Sequence, residues 1–224
     1  MTDQQTIDSI VRFHGHMCAG LAMGIRAAEV ALAEIGPHSS DEEVVAVAET
    51  DMCSVDAIQY LTGCTFGKGN LIHRDFGKNA YTFFRRSDGR AVRVSTGSGG
   101  WNALGADWAR LLGGIRAGAS TQEEGDRFAA LQAERTERIL AAPLDELYEV
   151  RRVSTEVPRP ARILVSLDCD HCGEPTMETR LRRLDGKQLC PPCFEEVAAG
   201  AVPVPSPTDR EPVIGEPPVV TRTS

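Results

Sequence analysis

The chain has no long apolar run: none of its 224 residues belong to a stretch approaching the ~18–20 needed to cross a bilayer. That argues against a membrane partner. The sequence begins "MTDQQTIDSI", polar and acidic, without the basic and then apolar segments of a secretory signal, so the expected location is cytoplasmic. Positive charge is also in short supply. Lys and Arg total 24 against 32 Asp and Glu, a formal charge of −8, and phosphate backbones are bound by basic faces, so nucleic acid is not an expected partner. Histidine is rare, with five in all. Cysteine is not: there are seven, an odd number in a chain without an export signal, which favours metal binding or thiol chemistry over a disulfide scaffold. The 42% hydrophobic and 25% charged composition is that of an ordinary globular protein, long enough for one substantial core and a small appendage.

Several elements are legible along the chain. Leu21, Ile25, Ala28, Leu32 and Ile35 recur at alternating spacings of four and three, one buried helix face that starts near Ala19 and stops at Gly36-Pro37. "EVVAVAET" (43–50) is short and β-branched, a buried strand. "SVDAIQYLT" follows as a short helix with Ser54 as candidate N-cap, then a loop at Gly63, Gly67 and Gly69. In "AYTFFRRSDGRAVRVS" two strand-like runs flank Asp88-Gly89, the dipeptide of a type I′ hairpin turn. "TGSGGWN" reads as a flexible break. "NALGADWARLLGGI" and "TQEEGDRFAALQAERTERILAA" read as helices, the second with Thr121 and Glu124 as a capping box. "STEVPRPAR" reads as a linker. The expected architecture is α+β: a mixed domain over 1–155 with a sheet and hairpin core, a four-cysteine zinc ribbon over 163–196, and a disordered Pro-rich tail over 197–224.

"CDHCGEPTMETRLRRLDGKQLCPPCF" has the spacing C-x2-C-x17-C-x2-C. Each short pair bends the backbone tightly enough for two sulfurs to share a metal, and the intervening hairpin, turning at Asp185-Gly186, closes the tetrahedron. Cys169, Cys172, Cys190 and Cys193 fill four positions and leave none for substrate, so the predicted zinc is structural. A redox role for the two C-x2-C pairs lacks its usual βαβ setting. His171, between the first two cysteines, is a bystander.

The second concentration of chemistry lies upstream, in "RFHGHMCAGLAMGIRAAEVAL". His14, His16 and Cys18 alternate with small or apolar residues at a helix entrance, where the dipole and free N–H groups favour a thiolate, whether as ligand or nucleophile. In a strand the three would share a face but stand ~7 Å apart, and on a continuous helix His16 would point away. A buried cysteine and a hydrogen-bonded core histidine are the ordinary alternatives. Three such residues within five positions weigh against them, as does the segment "ETDMCSVDAIQYLTGCTFGKGNLIHRDFG", which adds Asp51, Cys53, Asp56, Cys64, Lys68, His73 and Asp75. "GCTFGKGN" is not a nucleotide loop: Gly69 stands where the magnesium-binding hydroxyl would follow Lys68. The expected second site joins His16, Cys18 and Cys64 on zinc or another thiophilic metal, with Cys53 as rival ligand, His14 orienting a ligand from behind, and Lys68 and Asp75 at the pocket wall. Cys18, Cys64 and His14 are also the candidates for nucleophile and acid–base partner.

The segments "FHGHMCAGLAMGIRAAEVAL", "DMCSVDAIQYLTGCTFGKGNL", "DFGKNAYTF" and "RVSTG" together resemble the FmdE family, named for the E component of formylmethanofuran dehydrogenase, whose members often also carry a C-terminal four-cysteine module. The family usually has proline after the HGHxC cysteine; here Ala19 stands there. The resemblance implies an α+β core, a homodimer, metal near the His/Cys motif, and association with a molybdenum- or tungsten-type redox metalloenzyme. A stand-alone zinc- or cysteine-dependent enzyme, with a small substrate between the HGHxC and TGCTxGKGN segments, is the alternative.

Overall fold

The computed structural model describes residues 1–37, 42–97 and 106–200, and it divides into two compact units, Met1–Ala161 and Arg162–Ser224. The first is α+β. Its elements run α1 (Gln4–His14), α2 (Ala19–Ile35), β1 (Val44–Ala48), α3 (Ser54–Thr62), β2 (Leu71–His73), β3 (Ala80–Arg85), β4 (Ala91–Thr96), α4 (Ala106–Arg116), α5 (Gln122–Ala141), α6 (Leu144–Leu147) and β5 (Tyr148–Arg152).

The sheet has the order β2-β1-β3-β4-β5. β1 and β2 are parallel, joined through the α3 crossover, and the other pairs are antiparallel. β1 is buried on both faces. Val44, Ala46 and Ala48 face the main core with the alanines of α2, and Val45 and Val47 face Phe84 and Ala91. Val153 and Val157 cover that second face, and the Arg86 guanidinium donates to the Pro158 carbonyl at 2.5 Å. The start of the linker is therefore packed on the sheet.

Small residues let α2 lie close to its neighbours. A Cβ added at Gly24 would come within 2.2 Å of the Ser54 carbonyl oxygen, so α2 and α3 cross at backbone distance. Larger side chains fill the flank: Ile10, Leu21 and Ile25 pack with Ala57. Each contributes roughly 1.5–3 kcal/mol by burial, and Ile25→Ala would cost about 2–5 kcal/mol.

Local signals are realised unevenly. α5 opens with the expected capping box, the Thr121 side chain and the Glu124 carboxylate each accepting the other's backbone N–H. Ser54 is not the cap of α3; Cys53 precedes the helix without capping it. The Ser54 hydroxyl is instead paired with the Tyr81 hydroxyl at 2.5 Å, because the helix lies against β3 and a buried phenol needs a partner. Nor is Asp88-Gly89 a type I′ turn. Gly89 has a φ of 70° but Asp88 does not have positive φ. Arg85 and Arg90 still pair, so the loop holds four residues rather than two. Beyond the expected elements are α1, β2, α6 and the edge strand β5.

The second unit contains β6 (Ser166–Asp168), β7 (Pro175–Met177), β8 (Arg182–Leu184), β9 (Lys187–Leu189) and α7 (Pro191–Ala198). β6/β7 and β8/β9 are antiparallel hairpins. Here the Asp-Gly expectation holds: Asp185 (φ 48°) and Gly186 (φ 80°) form a two-residue loop with both residues at positive φ. α7 is not among the expected elements, and it extends the folded module to Ala198. The remainder of the expected tail, from residue 201, and residues 98–105 of the glycine-rich break and following helix start, lie outside the described residues. Among the described residues no helix is long and apolar enough to cross a membrane.

Candidate metal centres

In the second unit the hairpin β6/β7 and the start of α7 each present two cysteines. The Cys169 carbonyl accepts the Gly173 N–H at 2.9 Å, and Gly173 takes a φ of 73°, which turns the chain back so that Cys169 and Cys172 face one point. Cys190 is the N-cap of α7 and Cys193 lies in its first turn, with prolines at the first two helical positions. All four thiols are buried, and their sulfurs lie within 4.8 Å of one another. Cys172 Sγ and Cys190 Sγ are 3.8 Å apart, the separation of two thiolates each ~2.3 Å from a tetrahedral zinc. Burial pushes the Cys169 thiol up, but backbone N–H groups of Cys172, Cys190 and His171 outweigh it and bring the pKa to about 6. The set of four soft donors fits zinc and is closed, which makes the ion structural. His171 stays outside the group of four.

The N-terminal cluster is made by a helix end meeting a helix start. α1 ends at His14, Gly15 turns the chain with a φ of 100°, and its N–H closes on Val11 O. After His16 and Met17 the chain is extended at Cys18, which caps α2; its Sγ accepts the Leu21 N–H at 3.4 Å. Because of the Gly15 turn, one ligand atom from each of His14, His16 and Cys18 falls within 4.8 Å of the others. The expectation that alternation would hold the three apart assumed regular geometry, and the left-handed glycine breaks it.

His14 carries the strongest chemical signal. Its Nδ1 is 2.6 Å from Asp56 Oδ2, a contact that favours the proton on Nδ1 and directs Nε2 away from the carboxylate. That Nε2 is buried with no hydrogen-bond partner among the described residues. A buried polar atom without a partner is costly, and a carboxylate–imidazole pair with a bare Nε2 is the arrangement that holds a metal ligand in place. His14 Nε2 is thus among the three donor atoms that lie together, and Asp56 stands behind the ring on its other nitrogen. The sequence carries a signal for Asp56 in its i, i+3 relation to Cys53 at the start of α3.

The two rival cysteines sit at opposite ends of α3, whose nine residues span about 13 Å at ~1.5 Å each. Cys53 is beside Cys18: a Cβ on Gly20 would lie 3.2 Å from Cys53 Cβ and 3.8 Å from each of the two sulfurs. Burial, and then the neighbouring Cys18, raise the Cys53 pKa. Cys64 is fully buried at the far end, where its thiol donates to the Val44 carbonyl at 3.3 Å, and burial raises its pKa. The structure does not bring Cys64 to His16 and Cys18. Lys68, half-buried, acts on Cys64 and so belongs to that same far end. Asp75 is exposed just after β2. Two cavities flank the His/Cys cluster, and neither Lys68 nor Asp75 lines them. One, of about 580 Å³, lies between His16, Cys18 and residues 128–140 of α5. The other, of about 160 Å³, lies behind the first turn of α2. The "TGCTFGKGN" segment contributes to neither.

Comparison with known proteins agrees with this division. The family described as "FmdE, Molybdenum formylmethanofuran dehydrogenase operon" matches residues 13–149, and "Prokaryotic dksA/traR C4-type zinc finger" matches residues 162–197. A probable S-adenosyl-L-methionine-binding protein of Archaeoglobus fulgidus is 32% identical over 188 residues, covering 81% of this chain and 50% of the relative, so the chain spans about half the length of that curated protein. Among solved structures, an FmdE-like protein of the tungsten formylmethanofuran dehydrogenase type from Syntrophus aciditrophicus matches with a TM-score of 0.55 at 24% identity, over 85% of this chain and 91% of that one. At that identity the likeness is one of fold. Matched from Phe13 to Glu149, the chain belongs to the FmdE family, and its four-cysteine finger makes it a zinc-binding member.

Proposed function

We propose that the N-terminal domain holds a second thiophilic metal ion, zinc in the first instance, through His14 Nε2, His16 and Cys18, with Cys53 next to the site as a further sulfur donor. One observation carries this reading: the buried Nε2 of His14, without a hydrogen-bond partner among the described residues and with Asp56 on its other nitrogen. Imidazole and thiolate together suit zinc and other thiophilic metals. On this reading the protein works as a metal-binding component supporting a redox metalloenzyme of the molybdenum or tungsten type, in the cytoplasm and as a homodimer. The family's operon description supports the metalloenzyme association.

The alternative, a stand-alone zinc- or cysteine-dependent enzyme, is supported by the cavity of about 580 Å³ that opens on His16 and Cys18. Three protein donors leave one tetrahedral position for a small molecule. The cavity wall opposite is α5, not the glycine-rich loop.

Metal content by mass spectrometry on the full chain decides between them and the absence of a site. In a Cys190→Ser/Cys193→Ser background, one retained ion per chain that is lost in His14→Ala supports the site. No retained ion overturns it. Light scattering tests the dimer, and substrate turnover dependent on Cys18 would favour the enzyme. The name of the archaeal relative makes S-adenosylmethionine a reasonable probe in the same titrations.

A further inference from the structure

The five-stranded sheet ends in two unlike edges. β2 is three residues long and offers little for another chain to pair with. β5 is five residues long, and Glu149, Val150, Arg151 and Arg152 are all exposed. Its bonding to β4 decides which main-chain groups it leaves over. The Val153 N–H donates to the Ala91 carbonyl at 3.0 Å, and the Gly97 N–H to the Leu147 carbonyl at 3.3 Å. Bonded and non-bonded pairs alternate along an antiparallel ladder, so in the register of β4 and β5 the bonded pairs are Arg93 with Arg151 and Ser95 with Glu149. Val150 and Arg152 therefore turn their N–H and C=O groups away from β4, and no described residue supplies them a partner. The Tyr148 carbonyl faces the same way, while its N–H returns to the Leu144 carbonyl. Such a row of main-chain groups is a template for another strand.

The side chains say which strand fits. Glu149 and Arg151 share one face of β5, and Val150 lies on the other with Tyr148. Arg151 stands directly opposite Arg93 in the ladder, an unfavourable like-charge pair although Glu49 holds Arg93 from its other side. Both bonds from Arg151, through Nε and Nη2, go to Oε1 of its own Glu149. Two copies of one strand related by a two-fold axis through the sheet pair antiparallel, and the residue on the axis meets its own copy. With Val150 on the axis, Glu149 faces the partner's Arg151 and Arg151 faces the partner's Glu149. An axis at Glu149 would oppose two carboxylates, and one at Arg151 two guanidinium groups. The charge pattern thus selects one register.

From this edge we infer that the chain associates with a second copy of itself by antiparallel pairing of β5 with β5 about Val150, which joins the two sheets into one. The inference rests on the homodimer of the proposed function and is independent of its metal site. Val150 and the partner's Val150 exchange both main-chain bonds, and each Arg152 N–H reaches the partner's Tyr148 carbonyl. Glu149 and the partner's Arg151 form a non-hydrogen-bonded pair, the kind in which side chains lie closer together. The two Glu149 and two Arg151 side chains then alternate in sign around the axis, and Arg151 gains a carboxylate on the side away from Arg93. On the opposite face the exposed Val150 side chain meets its own copy. Five residues a side is well short of the ~20–30 of a standard interface, so the expected dissociation constant is micromolar.

Sedimentation velocity of the full, zinc-loaded chain from micromolar to millimolar concentration tests it. Glu149→Arg alone and Arg151→Glu alone each set like charges face to face, and each should raise the dissociation constant at least tenfold. Mixed in equal amounts, the two variants place opposite charges across the axis and should recover the dimer. Only direct contact between positions 149 and 151 of different copies predicts that rescue. Val150→Pro removes an N–H that β4 does not use, which an edge strand tolerates, so circular dichroism should show the fold retained while dissociation rises at least tenfold. It decides the matter should the charge variants misfold. A wild-type dimer that a folded Val150→Pro leaves unchanged, or folded charge variants that stay monomeric when mixed, overturns the β5 contact and leaves the dimer to another surface. A wild-type chain that is monomeric at millimolar concentration overturns the homodimer and this contact together, with metal content as a separate readout.

Discussion

The two cysteine clusters of this protein place the same element in opposite settings. In the C-terminal module four buried sulfurs converge from one hairpin and one helix start. Every donor is a thiol and the set is full. In the N-terminal cluster one donor is exposed and two are half-buried, two are imidazoles, and a carboxylate behind His14 fixes its direction. The first arrangement builds structure around an ion. The second, the proposed site, lies beside a cavity, and its geometry depends on how α1, α2 and α3 pack.

The sharpest way to break that contrast is to remove one ligand from each. Cys190→Ser should release one zinc per chain and abolish hydrogen-exchange protection across 166–198, since small finger modules draw their folding free energy from metal, while α2 and the five-stranded sheet remain protected. Loss of protection throughout the chain would show that the two units are not independent. A smaller effect is expected from Asp56→Asn. The amide no longer stabilises the Nδ1–H tautomer, so affinity at the N-terminal site should fall about 10- to 100-fold, read by competition with a chromogenic chelator, with the C-terminal zinc undisturbed.

Cys64→Ala sharpens the comparison in the other direction. It should leave metal stoichiometry unchanged and cost about 1–2 kcal/mol in denaturant unfolding, because the lost group is a packed thiol bonded to the Val44 carbonyl. A lost ion would return Cys64 to the site.

The smallest expected effect is acid sensitivity of the first unit. Hydrogen bonds from Arg93, with its charge, hold Glu49 below the ordinary carboxylate range; one of the bonds, from Nη2 to Oε2, is 2.9 Å. A folded pKa below the unfolded value contributes stability that is present above about pH 4.3 and lost as the pH falls through the folded pKa. Thermal melts from pH 6 to 3 should therefore show a shallower decline for Glu49→Gln than for the wild type, on a lower starting midpoint. Parallel slopes would assign the acid loss to other groups.

What is legible in the sequence follows the range of the interactions concerned. The C-x2-C pairs are local devices, and their spacing alone locates the finger. The α2 face and the Thr121 capping box are local too. Asp-Gly is ambiguous because the dipeptide permits a type I′ turn without imposing one: the three-residue strands β8 and β9 leave room for only two loop residues, whereas at Arg85–Arg90 the pairing begins further out. α1 escapes a reading of the pattern although Asp3 caps it and Ile7, Ile10 and Val11 mark its inner face; the bend at HGHMC puts the conspicuous helix start at Ala19. β5 leaves little trace because only Tyr148 is buried in an edge strand of charged residues. The roles of His14 and Cys64 are beyond the local pattern. The first depends on a carboxylate 42 positions away, and the second on which end of α3 faces α2.

The Gly24 contact has a consequence for the proposed N-terminal site. Helices separated by side chains can adjust by rotamer changes, but α2 and α3 meet backbone to backbone, with no room for even a methyl group at that crossing. The crossing acts as a fixed caliper. Cys18 caps one arm and Cys53 stands at the start of the other, so the distance between their backbones is set by main-chain contact. On the proposed reading the crossing fixes where the two sulfur donors are carried, and Gly24→Ala, which sets a methyl group against the Ser54 backbone, would disturb packing and metal binding together.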